Sequence, residues 1–137
     1  MTQVRLFKSD DGFTLVEVLV AMVILMIGML GLLQSVNLAM ETNLRSQLRE
    51  EAALVGERAM NDLRGKGFDN ISASYSNYQI ASKLRGSGKN YTISRTAPVI
   101  ATSNGQPATK ELRVLVSWTY KGTTYQNRVV SPVSILR

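Results

Sequence analysis

The stretch that decides the fold is DDGFTLVEVLVAMVILMIGMLGLL, residues 10–33, in which Glu17 stands inside an otherwise apolar run. Residues 13–33 contain no proline and no other charge. As a helix they would extend about 31 Å, roughly the hydrocarbon thickness of a bilayer. A soluble core helix fits poorly, because a domain of this size cannot surround such a helix on every side. We therefore predict a membrane-spanning segment.

The apolar run does not have the pattern of a removable signal peptide. A signal peptide needs a shorter apolar stretch, followed by a small-x-small cleavage site. Here the run is long, and Asn37 rather than a small residue stands two places before Ala39. We predict that the segment is retained. Arg5 and Lys8 precede it and would hold the N-terminus in the cytoplasm, because basic residues dominate membrane orientation.

Glu17 requires an explanation of its own. An acid at depth in a bilayer costs about 2.5–3.5 kcal/mol on insertion scales, so it needs a partner or a function. No basic residue lies between Phe13 and Gln34. If the chain were cut after Gly12, the new amino group of Phe13 would lie four residues from Glu17, on the same face of a helix. The amine of the same chain or of a neighbouring copy would then neutralise the acid.

The residues GFTLVE resemble the processing and methylation signature of type IV prepilins and pseudopilins, in which glycine ends a short basic leader. The resemblance implies that a prepilin peptidase cuts between Gly12 and Phe13 and methylates Phe13 to N-methylphenylalanine. It implies subunit-assembly roles for Phe13, Thr14 and Glu17. It also implies a single-pass protein of the bacterial inner membrane that later enters a periplasmic or cell-surface pilus. Its partners would be other pilin subunits, the peptidase, the inner-membrane assembly machinery and the lipid bilayer.

The longer apolar stretch is most similar to minor pilins of the PilV kind. Those proteins often have an E-V-L-V-A sequence followed by an I-G-x-L-G-L run, matched here by Ile27, Gly28, Leu30, Gly31 and Leu32. Many major pilins have a proline near the end of this segment, where this chain has Gln34. We interpret the chain as a minor pilin, in a type IV pilus or priming its assembly. Two alternatives stay open: a type II secretion pseudopilin, and a DNA-binding subunit of an uptake pilus.

After the apolar run the hydrophobic pattern becomes amphipathic. Apolar residues recur at steps of three or four: Val36, Met40, Leu44, Leu48, Ala52, Val55, Ala59 and Leu63. This spacing is typical of a helix with one buried face. We predict a single helix from about Thr14 to Arg64, ended by Gly65 and Gly67. Gly28, Gly31 and Gly56 are points where the helix could bend or where another helix could approach closely, and we favour close approach.

The remainder of the chain has the composition of β-strands. Four segments are rich in β-branched and aromatic residues: YSNYQI, NYTISRT, KELRVLVSWTYKG and TTYQNRVVSPVSIL. The third alternates, with Leu112, Val114, Val116, Trp118 and Tyr120 on one face, which we expect to pack on the helix. Gly122 would form a hairpin turn, and TSNGQPA would be a loop.

These elements predict an α+β fold, a pilin-like lollipop with a long N-terminal helix packed on a small antiparallel sheet of three to four strands. The predicted organisation is a prepilin leader (1–12), a transmembrane and filament-core helix (13–33), the amphipathic second half of the helix (34–64) and a β-rich head (65–137).

The composition argues against an enzyme. The chain has no histidine and no cysteine, so it has neither an imidazole base nor a thiolate nucleophile. Its carboxylates are too sparse for a metal site or an acid pair, and the adjacent Glu50 and Glu51 resemble solvated surface. We predict no metal and no cofactor.

The head is strongly basic. Residues 71–137 contain nine basic residues and one acid, Glu111, which gives a net charge of +8. A DNA-binding surface could be formed by Lys83, Arg85, Lys89, Arg95, Lys110, Arg113, Lys121 and Arg128. Phosphate neutralisation gives sequence-independent, salt-sensitive affinity. The alternative is a solvated surface that pairs with acidic neighbours in the filament.

Overall fold

The computed structural model describes residues 12–135, so the leader before Gly12, including Arg5 and Lys8, lies outside the described residues. The helix is α1 (Leu15–Arg64), and a 3₁₀ turn (Phe68–Asn70) follows it. The strands are β1 (Tyr78–Ala81), β2 (Asn90–Thr96), β3 (Val99–Ser103), β4 (Gln106–Tyr120) and β5 (Thr123–Ser134). The predicted α+β fold is confirmed: a long helix packs on an antiparallel sheet.

The chain divides into two compact units, Met1–Met40 and Glu41–Arg137. In the first unit every described side chain is exposed. α1 is long and apolar enough to cross a bilayer, and none of the 18-residue window that meets this criterion is buried. Apolar side chains of this number in contact with water are unfavourable, so this part of the helix needs lipid or other protein around it.

The helix ends where the glycine signal predicts. The amide of Gly65 donates to the Asn61 carbonyl at 2.9 Å, and that of Lys66 donates to the Leu63 carbonyl at 3.2 Å. Gly67 then adopts a φ of 72°, a left-handed conformation that is strained for residues with a side chain. The chain therefore leaves the helical path directly after Arg64.

β4 is the centre of the sheet. β5 pairs along one of its sides, from Thr109↔Ser134 to Tyr120↔Thr123. The other side is shared: β2 pairs with residues 113–117, and β3 pairs with residues 106–110. β1 extends the sheet beyond β2, and β1, β3 and β5 each pair with one strand only. All pairings are antiparallel.

The core of the second unit lies between α1 and one face of the sheet. The helix contributes Leu48, Ala52, Val55, Ala59, Met60 and Leu63, and the sheet contributes Tyr91, Ile93, Leu112, Val114, Val116 and Trp118. The predicted apolar faces therefore meet, although Tyr120 is only partly buried. Trp118 lies edge-to-face with Tyr91 and stacks on Tyr125, with centroid distances of 5.8 and 5.7 Å. Its predicted role as a core anchor is confirmed.

Two predictions for the head require correction. The sheet has five strands, one more than the upper limit predicted, because Val99–Ser103 pairs with β4. The segment TSNGQPA is mostly strand, and only Asn104 and Gly105 form its turn. Their φ angles of 52° and 75° match a type I′ hairpin, as do those of Lys121 and Gly122 (48° and 78°). The hairpin predicted at Gly122 is confirmed.

Candidate functional site

The helix begins with a reciprocal contact between Thr14 and Glu17. The Thr14 amide and hydroxyl both donate to Glu17 Oε2, at 2.8 and 3.1 Å. The Glu17 amide in turn donates to Thr14 Oγ1 at 3.3 Å. This is a capping box, which satisfies amide groups that have no partner inside the helix. The spacing T-x-x-E in the sequence carries this signal, and the sequence interpretation missed it.

Phe13 and Glu17 lie together at this end of the helix. They line one shallow, largely apolar concavity with Val18, Ala21, Met22 and Leu25. Phe13 is 90 % exposed, and nothing lies within 4 Å of the position that a Gly12 Cβ would take. The Gly12–Phe13 bond therefore belongs to an open segment directly before the helix. The structure brings together the residues predicted for processing and assembly: Gly12, Phe13, Thr14 and Glu17.

The eight cations of the predicted DNA-binding surface have different environments. Lys110 is 9 % exposed, and its ammonium group donates to the Phe68 and Ile71 carbonyls at 2.8 Å each. It is used inside the head and contributes little to an outer surface. Lys83, Arg85 and Arg128 are exposed, and Lys89 is partly buried.

Two of these cations pair with acids. Arg113 contacts Glu111 at 2.6 Å, and Lys121 contacts Glu41 at 2.6 Å. The hydrogen bond from Arg113 lowers the pKa of Glu111 and raises that of Arg113. The hydrogen bond to Glu41 likewise raises the pKa of Lys121. Exposed pairs contribute little to stability, but they reduce the positive potential available to a polyanion.

Arg95 has a different environment, because it forms no ion pair with an acid of residues 12–135. Its guanidinium carbon lies 5.0 Å from the ring centroid of Tyr75 and 4.7 Å from that of Tyr78. Lys66 lies 4.4 Å from the same Tyr75 ring. These distances are typical of cation–π contacts. The sequence gives no signal for this cluster, because its members come from separate segments that meet only in the finished fold.

Glu51 is not solvated surface, contrary to the sequence interpretation. It is partly buried and accepts hydrogen bonds from the Ser82 hydroxyl (2.5 Å), the Lys83 amide (2.7 Å) and the Tyr91 hydroxyl (3.0 Å). Burial raises the pKa of Glu51, but these hydrogen bonds and the Lys83 charge outweigh it, so the pKa is lowered. Burial and the bond to Glu51 raise the pKa of Tyr91 well above its usual range. Among residues 12–135, no three carboxylates gather as a metal site requires.

Comparison with family models matches residues 7–33 to the prokaryotic N-terminal methylation motif. Comparison with curated proteins and with solved structures gives no significant match. The motif is a type IV pilin-like prepilin signal, and it covers the predicted cleavage site and the apolar run. Together with the fold it supports a membrane-anchored structural subunit, pilin-like or pseudopilin, rather than an enzyme. It also implies processing by a prepilin peptidase and assembly with other pilins.

Proposed function

We propose that this chain is a minor pilin, cut between Gly12 and Phe13, methylated on Phe13, and built into a type IV pilus or used to prime its assembly. One observation carries the proposal: Gly12, Phe13 and Glu17 stand in register at the start of an apolar helix, within the matched residues 7–33. A chance acid in a membrane helix would not bring the other two residues with it.

The arrangement at the start of the helix suggests how Glu17 acts in assembly. In the uncut chain, its carboxylate accepts hydrogen bonds from Thr14. Cleavage after Gly12 adds a positive amine at Phe13, which lines the same concavity as Glu17. The acid of one subunit and the amine of the same or a neighbouring subunit then cancel in apolar surroundings. A lone buried charge there would be costly.

The exposed side chains of the first unit provide the packing surface. Lipid covers them before assembly, and the helices of neighbouring subunits cover them afterwards. In this proposal residues 1–12 are the leader, 13–33 span the inner membrane, 34–64 continue the helix and 65–137 form the head. The N-terminus lies in the cytoplasm before assembly, and the assembled subunit lies in the periplasm or at the cell surface.

The minor-pilin role rests on the apolar segment itself. The E-V-L-V-A start and the I-G-x-L-G-L run favour a PilV-like subunit, as does Gln34 where many major pilins have proline. A type II secretion pseudopilin would share the same N-terminus. The two roles differ in where the mature chain accumulates.

The first test is mass spectrometry of filaments sheared from intact cells, compared with the membrane fraction. A peptide that begins at methylated Phe13 in sheared filaments is the expected result. The same peptide in membranes alone would favour a secretion pseudopilin or a priming complex. A chain that keeps residues 1–12 in both fractions would overturn the proposal. A Gly12→Leu chain is the control, since the peptidase should leave it uncut.

A second candidate function is DNA capture by the head. Lys83, Arg85 and Arg128 favour it, because they are exposed and form no ion pair with an acid of residues 12–135. The test is DNA gel retardation with the full chain in a neutral detergent, across a salt series. Retardation that weakens steeply with salt is expected for phosphate contacts. No retardation at low salt would exclude this function.

A further inference from the structure

Arg95 is held in place, but it has no anionic partner in the part of the chain that the structure describes. The Tyr75 amide donates to its backbone carbonyl at 3.1 Å, and two tyrosine rings lie within cation–π distance of its guanidinium. Its Nε is buried and has no hydrogen-bond partner. No carboxylate of residues 12–135 forms an ion pair with it. The guanidinium therefore carries a positive charge that no described acid neutralises.

The side chain is also partly accessible. Arg95 is only partly buried, although its Nε is not open to solvent. Its planar donors suit a carboxylate, which can accept two parallel hydrogen bonds. The rings restrict its movement, so binding would lose little side-chain entropy. Lys66, on the Tyr75 ring, adds a second positive charge to the cluster.

A groove adjoins this cluster, and Tyr78 belongs to both. The groove lies between α1 and the edge strand β1, and its apolar members include Leu54 and Ile80, which are 59 % and 37 % exposed. Two acids and two bases also line it: Glu51, Asp62, Arg58 and Lys83. A surface of mixed sign disfavours a polyanion such as DNA. The apolar members favour a protein segment.

We propose that the groove and Arg95 together bind an acidic segment of a neighbouring pilin-type subunit. A carboxylate of that segment would accept hydrogen bonds from Arg95, and an apolar side chain beside it would contact Leu54 and Ile80. The proposal rests on the proposed function, since it takes the partner from the same filament or priming complex. It assigns Arg95 to a protein interface rather than to a DNA-binding surface.

Site-directed photocrosslinking tests this proposal. Because the chain contains no cysteine, an introduced cysteine is the one position of this protein that is labelled. An Ile80→Cys chain is labelled with a thiol-reactive benzophenone in intact cells and irradiated. The expected product is an adduct with another subunit that begins at a methylated residue, joined at a peptide containing Asp or Glu. Val130→Cys is the matched control, because Val130 is 45 % exposed on β5, an edge strand on the other side of β4. It should not give this adduct.

Substitution of Arg95 decides whether the guanidinium matters. Arg95→Glu should reduce the Ile80 adduct about tenfold or more, because like charges then face each other. Arg113→Glu, next to the register partner of Arg95 but on the opposite face of the sheet, should leave the adduct unchanged. If Arg95→Glu lowers the amount of processed chain in membranes, the neutral Arg95→Gln replaces it, with the same expected direction.

An adduct that persists in both Arg95 variants would overturn the proposal, and so would an adduct site without an acid. The first result would mean that Arg95 does not contact the partner, and the second that the bound segment is not acidic. Failure of the proposed function would give a different result, because the wild-type chain would then keep residues 1–12.

Discussion

At the scale of single residues, the start of the helix combines two demands on Glu17. The carboxylate caps the first turn through Thr14, and it is also the acid expected to meet the Phe13 amine after cleavage. Thr14 is a hydrogen-bond donor and the Phe13 amine is positively charged, so the one carboxylate can interact with both. The same carboxylate can therefore hold the helix end in the precursor and contact a neighbouring subunit in the filament.

Because Glu17 has these two roles, substitutions that remove the cap, the charge or both are expected to differ in effect. Glu17→Ala should leave processing intact but weaken filament incorporation, because the buried amine loses its counter-charge. It also removes the cap. Glu17→Gln keeps a hydrogen-bond acceptor for Thr14 and removes only the charge, so it should lower incorporation nearly as much. Quantitative mass spectrometry of sheared filaments against membranes measures both.

Thr14→Ala is the matched control for the cap alone. It removes the Thr14 hydroxyl and costs about 1 kcal/mol of helix stability, but it leaves the charge of Glu17 in place. We expect it to lower incorporation less than Glu17→Gln. Normal incorporation of Glu17→Gln would show that the charge has no role.

Glu51 makes head stability depend on pH. Its pKa is lowered in the folded chain, so its contribution is present above the unfolded value of about 4.3 and is lost as pH falls through the folded value. At pH 7, Glu51→Gln should lower the free energy of unfolding by roughly 1–3 kcal/mol. The difference between the two proteins should shrink as the pH falls below the unfolded value. Denaturant unfolding at pH 7 and at a series of lower pH values measures this.

The exposed neighbour Glu50 supplies the control, because the structure gives it no comparable set of hydrogen bonds. Glu50→Gln should change the free energy of unfolding by less than about 0.5 kcal/mol. A Glu51→Gln protein as stable as wild type at pH 7 would contradict the structural role assigned to this carboxylate.

At the scale of elements, the sequence predicts α1 well because its signals are local. The apolar period and the glycines after Arg64 fix its extent.

β3 was missed because Pro107 and Asn-Gly are typical of loops. Pro107 pairs with Thr102 on one side only, because the pairing of β4 with β5 starts at Thr109. Its missing N–H is therefore tolerated. The Glu51–Tyr91 contact spans 40 residues and depends on the finished fold, so no local pattern reports it.

Gly56 reports how closely α1 lies on the sheet. A Cβ there would lie 3.1 Å from Val129 Cγ2 and 3.5 Å from Val116 Cγ2. Close approach was predicted at this glycine, but the sheet rather than another helix provides it. Gly56→Val should lower the free energy of unfolding by about 1–3 kcal/mol through overpacking. Ala53→Val, on the exposed side of the same turn, is the control for helix propensity. Equal losses in the two variants would contradict the close approach.

At the scale of the whole molecule, the two units have different requirements for their surroundings. The first described buried residue is Leu48, and the core extends from there to later strands. Every side chain of that core belongs to the second unit. The apolar residues of the first unit are exposed, so they determine that the protein needs lipid or other protein around it. They do not determine whether the head folds.

A chain that begins at Glu41 should therefore be a soluble, folded domain. It keeps the complete core and the Lys121–Glu41 contact. We expect a monomer in gel filtration and a single cooperative thermal transition by circular dichroism. A chain that begins at Ala53 is the contrasting case, because it loses Leu48, Ala52 and Glu51. It should be unfolded or aggregated. An insoluble Glu41–Arg137 chain would contradict this division.

The central position of β4 has a consequence for the order of events during synthesis. The strand that β2, β3 and β5 all need begins only at Gln106, in the last quarter of the chain. Until it emerges, the apolar face of the helix from Leu48 onward has no sheet to cover it. A ribosome adds residues one by one, so this face has no sheet to pack on until the last quarter of the chain is made. The membrane segment, in contrast, is available for insertion from early in translation. Insertion therefore precedes folding of the head, and a ribosome that stops before β4 would leave an anchored but unfolded chain for quality-control proteases.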